Sequence, residues 1–102
     1  TRTLPDAGTE RFRIAVFSCS NLTSGWFNAY AHAAGRDDID LALHLGDYIY
    51  ESPLNRPDAL PGLAALRGGQ PSHEILSLLD YRQRHAAYRA DPDLQALHAR
   101  LP

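Results

Sequence analysis

Residues 11–17, Arg-Phe-Arg-Ile-Ala-Val-Phe, begin as a polar/apolar alternation and become a continuous apolar run, the pattern of a strand entering a buried sheet. The run stops at Ser18-Cys19-Ser20-Asn21, small polar residues suited to a loop. From Gly25 the period changes. Trp26, Phe27, Tyr30, Ala33 and Ala34 fall at helical spacing, and Gly35 supplies a stop. Asp38-Ile39-Asp40 then leads into a second short apolar segment, Leu41-Ala42-Leu43-His44-Leu45, closed by Gly46-Asp47.

Strand, helix and strand with about 20 residues between the strands make a βαβ unit, because parallel neighbours need a crossover of that length, and such crossovers are right-handed. The predicted fold class is therefore α/β. Both polar clusters lie at the carboxyl ends of strands, the edge where open α/β sheets bind their ligands.

Residues 51–72 contain Pro53, Pro57, Pro61, Pro71, Gly62, Gly68 and Gly69 and read as a long irregular loop, of the length that serves as a lid or mobile segment. Ser72 is the expected N-cap of a following helix, with His73 and Glu74 in its first turn and Ile75, Leu78, Leu79, Arg82 and Ala86 on one stripe. Asp91-Pro92 starts another helix, the aspartate as cap and the proline at the first helical position. Its apolar face is Leu94, Leu97 and Leu101. Two strands and three helices cannot cover both faces of a parallel sheet, so the pattern reads as the opening of a larger domain. A first residue of Thr1 rather than methionine agrees with a processed or excised chain.

Composition narrows the chemistry. The chain has 102 residues and a formal charge of -2, and a sequence pI near 6.1. All of its 10 Lys+Arg are arginine, which removes P-loop, Schiff-base and Ser-x-x-Lys chemistry from this stretch. The charge balance gives no basic patch for nucleic acid, and Arg82, Arg84 and Arg89 read as one side of a solvated helix. No apolar run approaches the roughly 20 residues needed to span a bilayer. A single cysteine excludes an internal disulfide.

The sharpest chemical signal is Gly46-Asp47-Tyr48-Ile49-Tyr50 after an apolar strand. It places a carboxylate at the strand tip and a phenol three residues on. A carboxylate can bridge two cations, and a phenolate is a hard oxygen donor suited to ferric iron. The plain alternative is a strand-ending turn. Cys19, at the end of the neighbouring strand, adds a thiolate to the same edge, where three anionic donors would call for a highly charged cation. A packed core thiol is the alternative. A phosphatase-type catalytic thiol would need an arginine six residues on, where Gly25 stands. His44 reads as a packed or supporting residue, and His32, His73, His85 and His98 as solvated helix positions. Tyr81, His85 and Tyr88 share a helical stripe and read as core contacts. Tyr48 and Trp26 are open to two readings, a substrate entrance or simple packing.

Phe17-Ser18-Cys19-Ser20-Asn21, Gly25-Trp26-Phe27-Asn28-Ala29-Tyr30 and His44-Leu45-Gly46-Asp47-Tyr48-Ile49-Tyr50-Glu51 together resemble the start of the catalytic domain of PhoD-type alkaline phosphatases. The Asp80-Tyr81-Arg82 to Asp93-Leu94-Gln95 stretch is similar to the helical segment that follows in that family. The resemblance implies the βαβ opening of a metallophosphoesterase-like αββα sandwich, incomplete in this chain. Residues 1–10 would be a linker from a missing N-terminal immunoglobulin-like domain, and residues 11–102 the N-terminal portion of the catalytic domain. It implies hydrolysis of phosphate mono- and diesters outside the cytoplasm, by a secreted, periplasmic or cell-surface enzyme. It also implies ferric iron (Fe3+) and calcium (Ca2+) as cofactors, with Cys19, Asp47 and Tyr50 as iron ligands and Asp47 bridging to calcium. The family's remaining ligands lie past the position of Pro102. Two other expectations are a stretch that binds metal or packs without catalysis, and a thiol-nucleophile enzyme insensitive to chelators.

Overall fold

The computed structural model describes residues 5–54, 62–67 and 71–102. Two strands, β1 (Ile14–Phe17) and β2 (Leu41–His44), pair in parallel with Ile14 opposite Leu41 and Phe17 opposite His44. The βαβ expectation therefore holds, with β1 matching its apolar run and β2 ending one residue short of Leu45. Pairing begins at Arg13, whose carbonyl accepts from the amides of Asp40 (2.9 Å) and Leu41 (3.3 Å). Arg13 N–H in turn donates to Asp40 Oδ2 at 2.8 Å.

Between the strands lies α1 (Asn28–Ala34), with Tyr30 and Ala33 buried. It packs against α4 (Pro92–Arg100), which opens as the sequence predicts: Asp91 accepts from the amides of Asp93 (2.9 Å) and Leu94 (3.0 Å), with Pro92 at the first turn. Leu94, Leu97 and Leu101 are buried with Leu22, Phe27, Tyr30, Ala33, Ile39 and Tyr88 in one core. Each leucine, isoleucine and phenylalanine side chain among them contributes about 1.5–3 kcal/mol by leaving water. Within the core, Tyr30 meets Phe17 (ring centroids 4.7 Å) and Phe27 (5.1 Å, edge-on). Ala15, Phe17 and Ala42 pack against this core, while Ile14, Val16 and Leu43 on the strands are exposed. Among the described residues, the helices thus cover one side of the sheet.

Several expectations are corrected downstream. The stretch 51–72 is not wholly irregular, since it contains a one-turn helix, α2 (Leu63–Leu66). Residues 55–61 and 68–70, and with them the expected lid, lie outside the described residues, as do residues 1–4 of the expected linker. The third helix does not start at Ser72. It is α3 (Leu78–Arg89), and its N-cap is Ser77 in a reciprocal capping box with Asp80. The Ser77 hydroxyl accepts from Asp80 N–H at 3.2 Å, while Asp80 Oδ2 accepts from Ser77 N–H at 2.9 Å. That arrangement satisfies helix-end amides twice over, which Ser72 does not do. His73 consequently precedes the helix.

The buried face of α3 differs too. Leu78 and Leu79 are 66% and 63% exposed, whereas Arg84 and Tyr88, one turn apart, are buried. Arg84 is 0% exposed and so is not part of a solvated arginine face, although Arg82 and Arg89 are exposed. Of the Tyr81, His85 and Tyr88 stripe, only Tyr88 is buried. Among the described residues, no helix is long and apolar enough to cross a membrane.

Candidate functional site

The pairing of β1 and β2 continues beyond the strands through their loops. Leu45 N–H donates to Phe17 O (2.9 Å), Cys19 N–H to Gly46 O (3.2 Å) and Ser20 N–H to Asp47 O (3.2 Å). This ladder runs the loop 18–20 beside the loop 45–47 and brings their side chains together. Gly46 takes φ +139°, a conformation that L side chains rarely adopt, although nothing lies within 4 Å of where a Cβ would sit. Glycine is needed there for its backbone freedom rather than for space. Cys19 (φ 57°) and Asp47 (φ 53°) both have positive φ. Such non-glycine positions carry about 1–3 kcal/mol of strain each and cluster at functional sites.

The three sequence-selected residues meet there. Cys19 Sγ donates to Asp47 Oδ2 at 3.5 Å, and Tyr50 Oη donates to the same oxygen at 3.4 Å. One carboxylate oxygen is therefore the shared acceptor of a thiol and a phenol. Burial pushes the Tyr50 phenol up to about 12, and the neighbouring Asp47 and Cys19 reinforce the shift. Phenolate at this place needs a compensating positive charge. Among the described residues, no three His, Cys, Asp or Glu side chains gather as a metal-binding group; beside Cys19 and Asp47 at this edge stands the Tyr50 phenol. Cys19 is exposed and lines a groove of about 490 Å³ with Ser18, Ser20, Asn21, Ser24 and Trp26. It is not a packed core thiol.

His44 lies beside the cluster and braces it. Its Nδ1 accepts from Gly46 N–H at 3.3 Å, which assigns the ring hydrogen to Nε2. That hydrogen is donated to Tyr30 Oη at 3.1 Å, and Tyr30 and Ser20 share a hydroxyl–hydroxyl bond of 2.5 Å. Burial lowers the His44 pKa, against an opposing pull from Asp47. The neutral ring thus ties the Gly46 turn to α1. Tyr48 packs, its ring 5.2 Å from His44 and 5.7 Å from His85, and it also borders a small cavity of about 100 Å³ with Phe17, His44 and His98. Its hydroxyl bonds His98 Nε2 at 3.0 Å, so His98 has a defined partner. Trp26, 61% exposed, stands at the groove with the Arg67 guanidinium 5.0 Å from its ring centroid.

Residue-by-residue reading of the sequence misses Arg84 and the buried pair of Arg67 with Asp91, whose side chains are 6% and 7% exposed. The available signal for Arg84 is its one-turn spacing from Tyr88, the buried residue of the same helix.

Two parallel strands with Cys19, Asp47 and Tyr50 converging beyond their carboxyl ends define an α/β fold with three polar side chains gathered at the sheet edge. Comparison with known proteins makes this class specific. Residues 14–102 match the PhoD-like phosphatase family, and the chain belongs to that family. Over 104 aligned residues it is 41% identical to alkaline phosphatase D of Bacillus subtilis (strain 168), covering 100% of this chain and 17% of that protein. The solved structure of PhoD superposes on 98% of this chain with a TM-score of 0.78 and 39% identity, and the match covers 19% of the PhoD chain. The chain thus spans about a fifth or less of the length of the relatives it matches.

Proposed function

We propose that this chain supplies the cation-holding sheet edge of a metal-dependent phosphoric ester hydrolase. The substrates are phosphate mono- and diesters, the location is outside the cytoplasm, and the complete fold is a metallophosphoesterase-like αββα sandwich. Residues 11–102 then form the opening of the catalytic domain, with residues 1–10 as a linker. The observation that carries the reading is the convergence of Cys19 Sγ and Tyr50 Oη on Asp47 Oδ2, at 3.5 and 3.4 Å. Family membership supports the phosphatase class.

The donor set fits a highly charged cation. A thiol, a carboxylate and a phenol share one small volume, and the phenol is held protonated by burial and by the neighbouring Asp47 carboxylate. A trivalent ion in place of the thiol and phenol protons relieves that conflict. Cys19, Asp47 and Tyr50 would hold ferric iron, and Asp47 would also face calcium. Once bound, such cations supply Lewis-acid polarisation of a phosphoryl oxygen and lower the pKa of an oxygen nucleophile. The chain's own part is to present Asp47 and Tyr50 from a strained, glycine-hinged turn and Cys19 from the adjoining loop, while the neutral His44 holds that turn against α1. The groove beside Cys19, lined by Ser18, Ser20, Asn21 and Ser24, offers hydroxyl and amide groups to a phosphate ester.

The test is hydrolysis of p-nitrophenyl phosphate and bis(p-nitrophenyl) phosphate by the intact polypeptide carrying this sequence, loaded with ferric iron and calcium. Loss of turnover in Asp47→Asn and after chelation supports the reading. Chelator-insensitive turnover that alkylation of Cys19 abolishes replaces it with a thiol-nucleophile enzyme. A second reading, cation binding without hydrolysis, draws on the 17% coverage of the matched relative. It predicts iron uptake with no turnover of either ester.

A further inference from the structure

Arg84 is a positively charged side chain at 0% exposure, and its hydrogen-bond partners are all backbone carbonyls. Nη1 donates to Tyr50 O (2.6 Å) and Ser52 O (3.1 Å). Nη2 donates to Pro71 O (2.7 Å) and His73 O (3.1 Å). Nε has no partner. Burying an ion costs several kcal/mol, and the usual compensation is an opposite charge. Here the direct partners are four carbonyl dipoles from two segments that are distant in sequence, with the Glu51 carboxylate acting without a hydrogen bond, so the geometry around the charge depends on both segments keeping their places. The same two segments are cross-tied by Ile75 N–H to Glu51 O (2.9 Å) and Leu54 N–H to Ser72 O (3.1 Å).

The first carbonyl in that set belongs to Tyr50, whose phenol reaches Asp47 Oδ2. The chain from Gly46 to Tyr50 is therefore held at both ends. At the near end, the amides of Cys19 and Ser20 bind Gly46 O and Asp47 O, and at the far end the Arg84 fork binds Tyr50 O. We infer that Arg84 is the positioning residue for Tyr50, its guanidinium holding the Tyr50 backbone so that the phenol oxygen is presented beside Asp47. This inference rests on the reading of Tyr50 as an iron ligand. A planar fork is needed, because two nitrogens must each serve a different segment. A lysine ammonium, with a single nitrogen, keeps the charge but cannot span both. An apolar residue of similar volume fills the space and holds neither carbonyl.

The experiment compares ferric-iron binding and the visible charge-transfer spectrum of the wild-type protein, Tyr50→Phe and Arg84→Lys. Groups that orient metal ligands typically change affinity about 10–100-fold when replaced. Arg84→Lys is expected to lose iron affinity in that range, with a weakened and displaced phenolate band and retained helix content. If Tyr50→Phe leaves the spectrum unchanged, the ligand reading fails, and the Arg84 inference fails with it. If Tyr50→Phe removes the band while Arg84→Lys binds iron with wild-type affinity and spectrum, only the Arg84 inference is overturned.

A second measurement needs no variant. Coupling between sites is reciprocal, so diamagnetic Ga3+, used as a ferric probe, should slow hydrogen exchange at the Arg84 guanidinium and at the Ile75 amide of the wild-type protein. Ga3+ binding at Tyr50, seen by NMR, with no change in either exchange rate overturns the inference even if Arg84→Lys fails to fold.

Discussion

Cys19 and Asp47 stand side by side on adjacent loops with nearly the same positive φ, 57° and 53°, and the Cys19 thiol donates to the Asp47 carboxylate at 3.5 Å. The strain and the contact have one origin. The parallel pairing of β1 and β2 continues into both loops as far as Ser20 and Asp47, and the chain turns sharply there to face both side chains to the same edge. Natural chains keep about 1–3 kcal/mol of strain at such a position when the surrounding hydrogen bonds determine it. Here they are the amides of Cys19 and Ser20 on the carbonyls of Gly46 and Asp47.

Gly46→Ala tests that hinge. No atom lies within 4 Å of the added Cβ, so the cost comes from φ +139° alone. The expected loss is about 1–3 kcal/mol in chemical denaturation, with iron affinity falling alongside. Wild-type stability in this variant contradicts the hinge.

The buried pair of Arg67 and Asp91 supports α4, because Asp91 is also its N-cap. Asn is an equally good cap, so Asp91→Asn removes the charge and leaves the cap intact. Breaking a buried pair on one side costs about 3–5 kcal/mol, which denaturant midpoints should register. Adding Arg67→Met to Asp91→Asn should recover most of the loss. An additive double variant would mean that the two charges do not interact.

Asp80 sets an acid limit. Amides of Ser77 and Leu76, with the Ser77 hydroxyl, hold its carboxyl at about 2, below its ordinary value of 3.8. A lowered folded-state pKa means stability that is present above the unfolded value and is lost as pH falls through the folded one. The start of α3 should therefore loosen between about pH 4 and pH 2. Hydrogen exchange at the Ser77 and Leu76 amides, which donate to Asp80 Oδ2, follows it directly. In Asp80→Ala the same amides should exchange fast at every pH. Protection that persists in that variant removes Asp80 from the cap.

The sequence was most readable where period and caps agree. Ile14 to Phe17 and Leu41 to His44 appear as apolar runs ending in small polar residues, and Asp91-Pro92 announces α4 with its buried Leu94, Leu97 and Leu101. It was least readable in α3. Ser72 and Ser77 are both serines shortly before acidic residues, and only the three-residue spacing of Ser77 to Asp80 closes a capping box. The apolar look of Leu78 and Leu79 hides a helix whose buried face is Arg84 and Tyr88. The one-turn spacing from Tyr88 points to a buried Arg84 but not to its role, because its compensating carbonyls at 50, 52, 71 and 73 come from segments that only the fold brings together. The site residues Cys19, Asp47 and Tyr50 could be selected from residue chemistry. Their convergence on a single oxygen, Asp47 Oδ2, required the ladder between the two loops.

The central claim is that these three side chains hold one highly charged cation, and its most direct test is the visible absorption of the ferric-loaded protein. The wild type should show a charge-transfer band from thiolate and phenolate bound to iron, and the band should be absent when Cys19→Ser and Tyr50→Phe are combined. A band that persists in the double variant, or a wild-type protein that takes up no ferric iron, contradicts the claim.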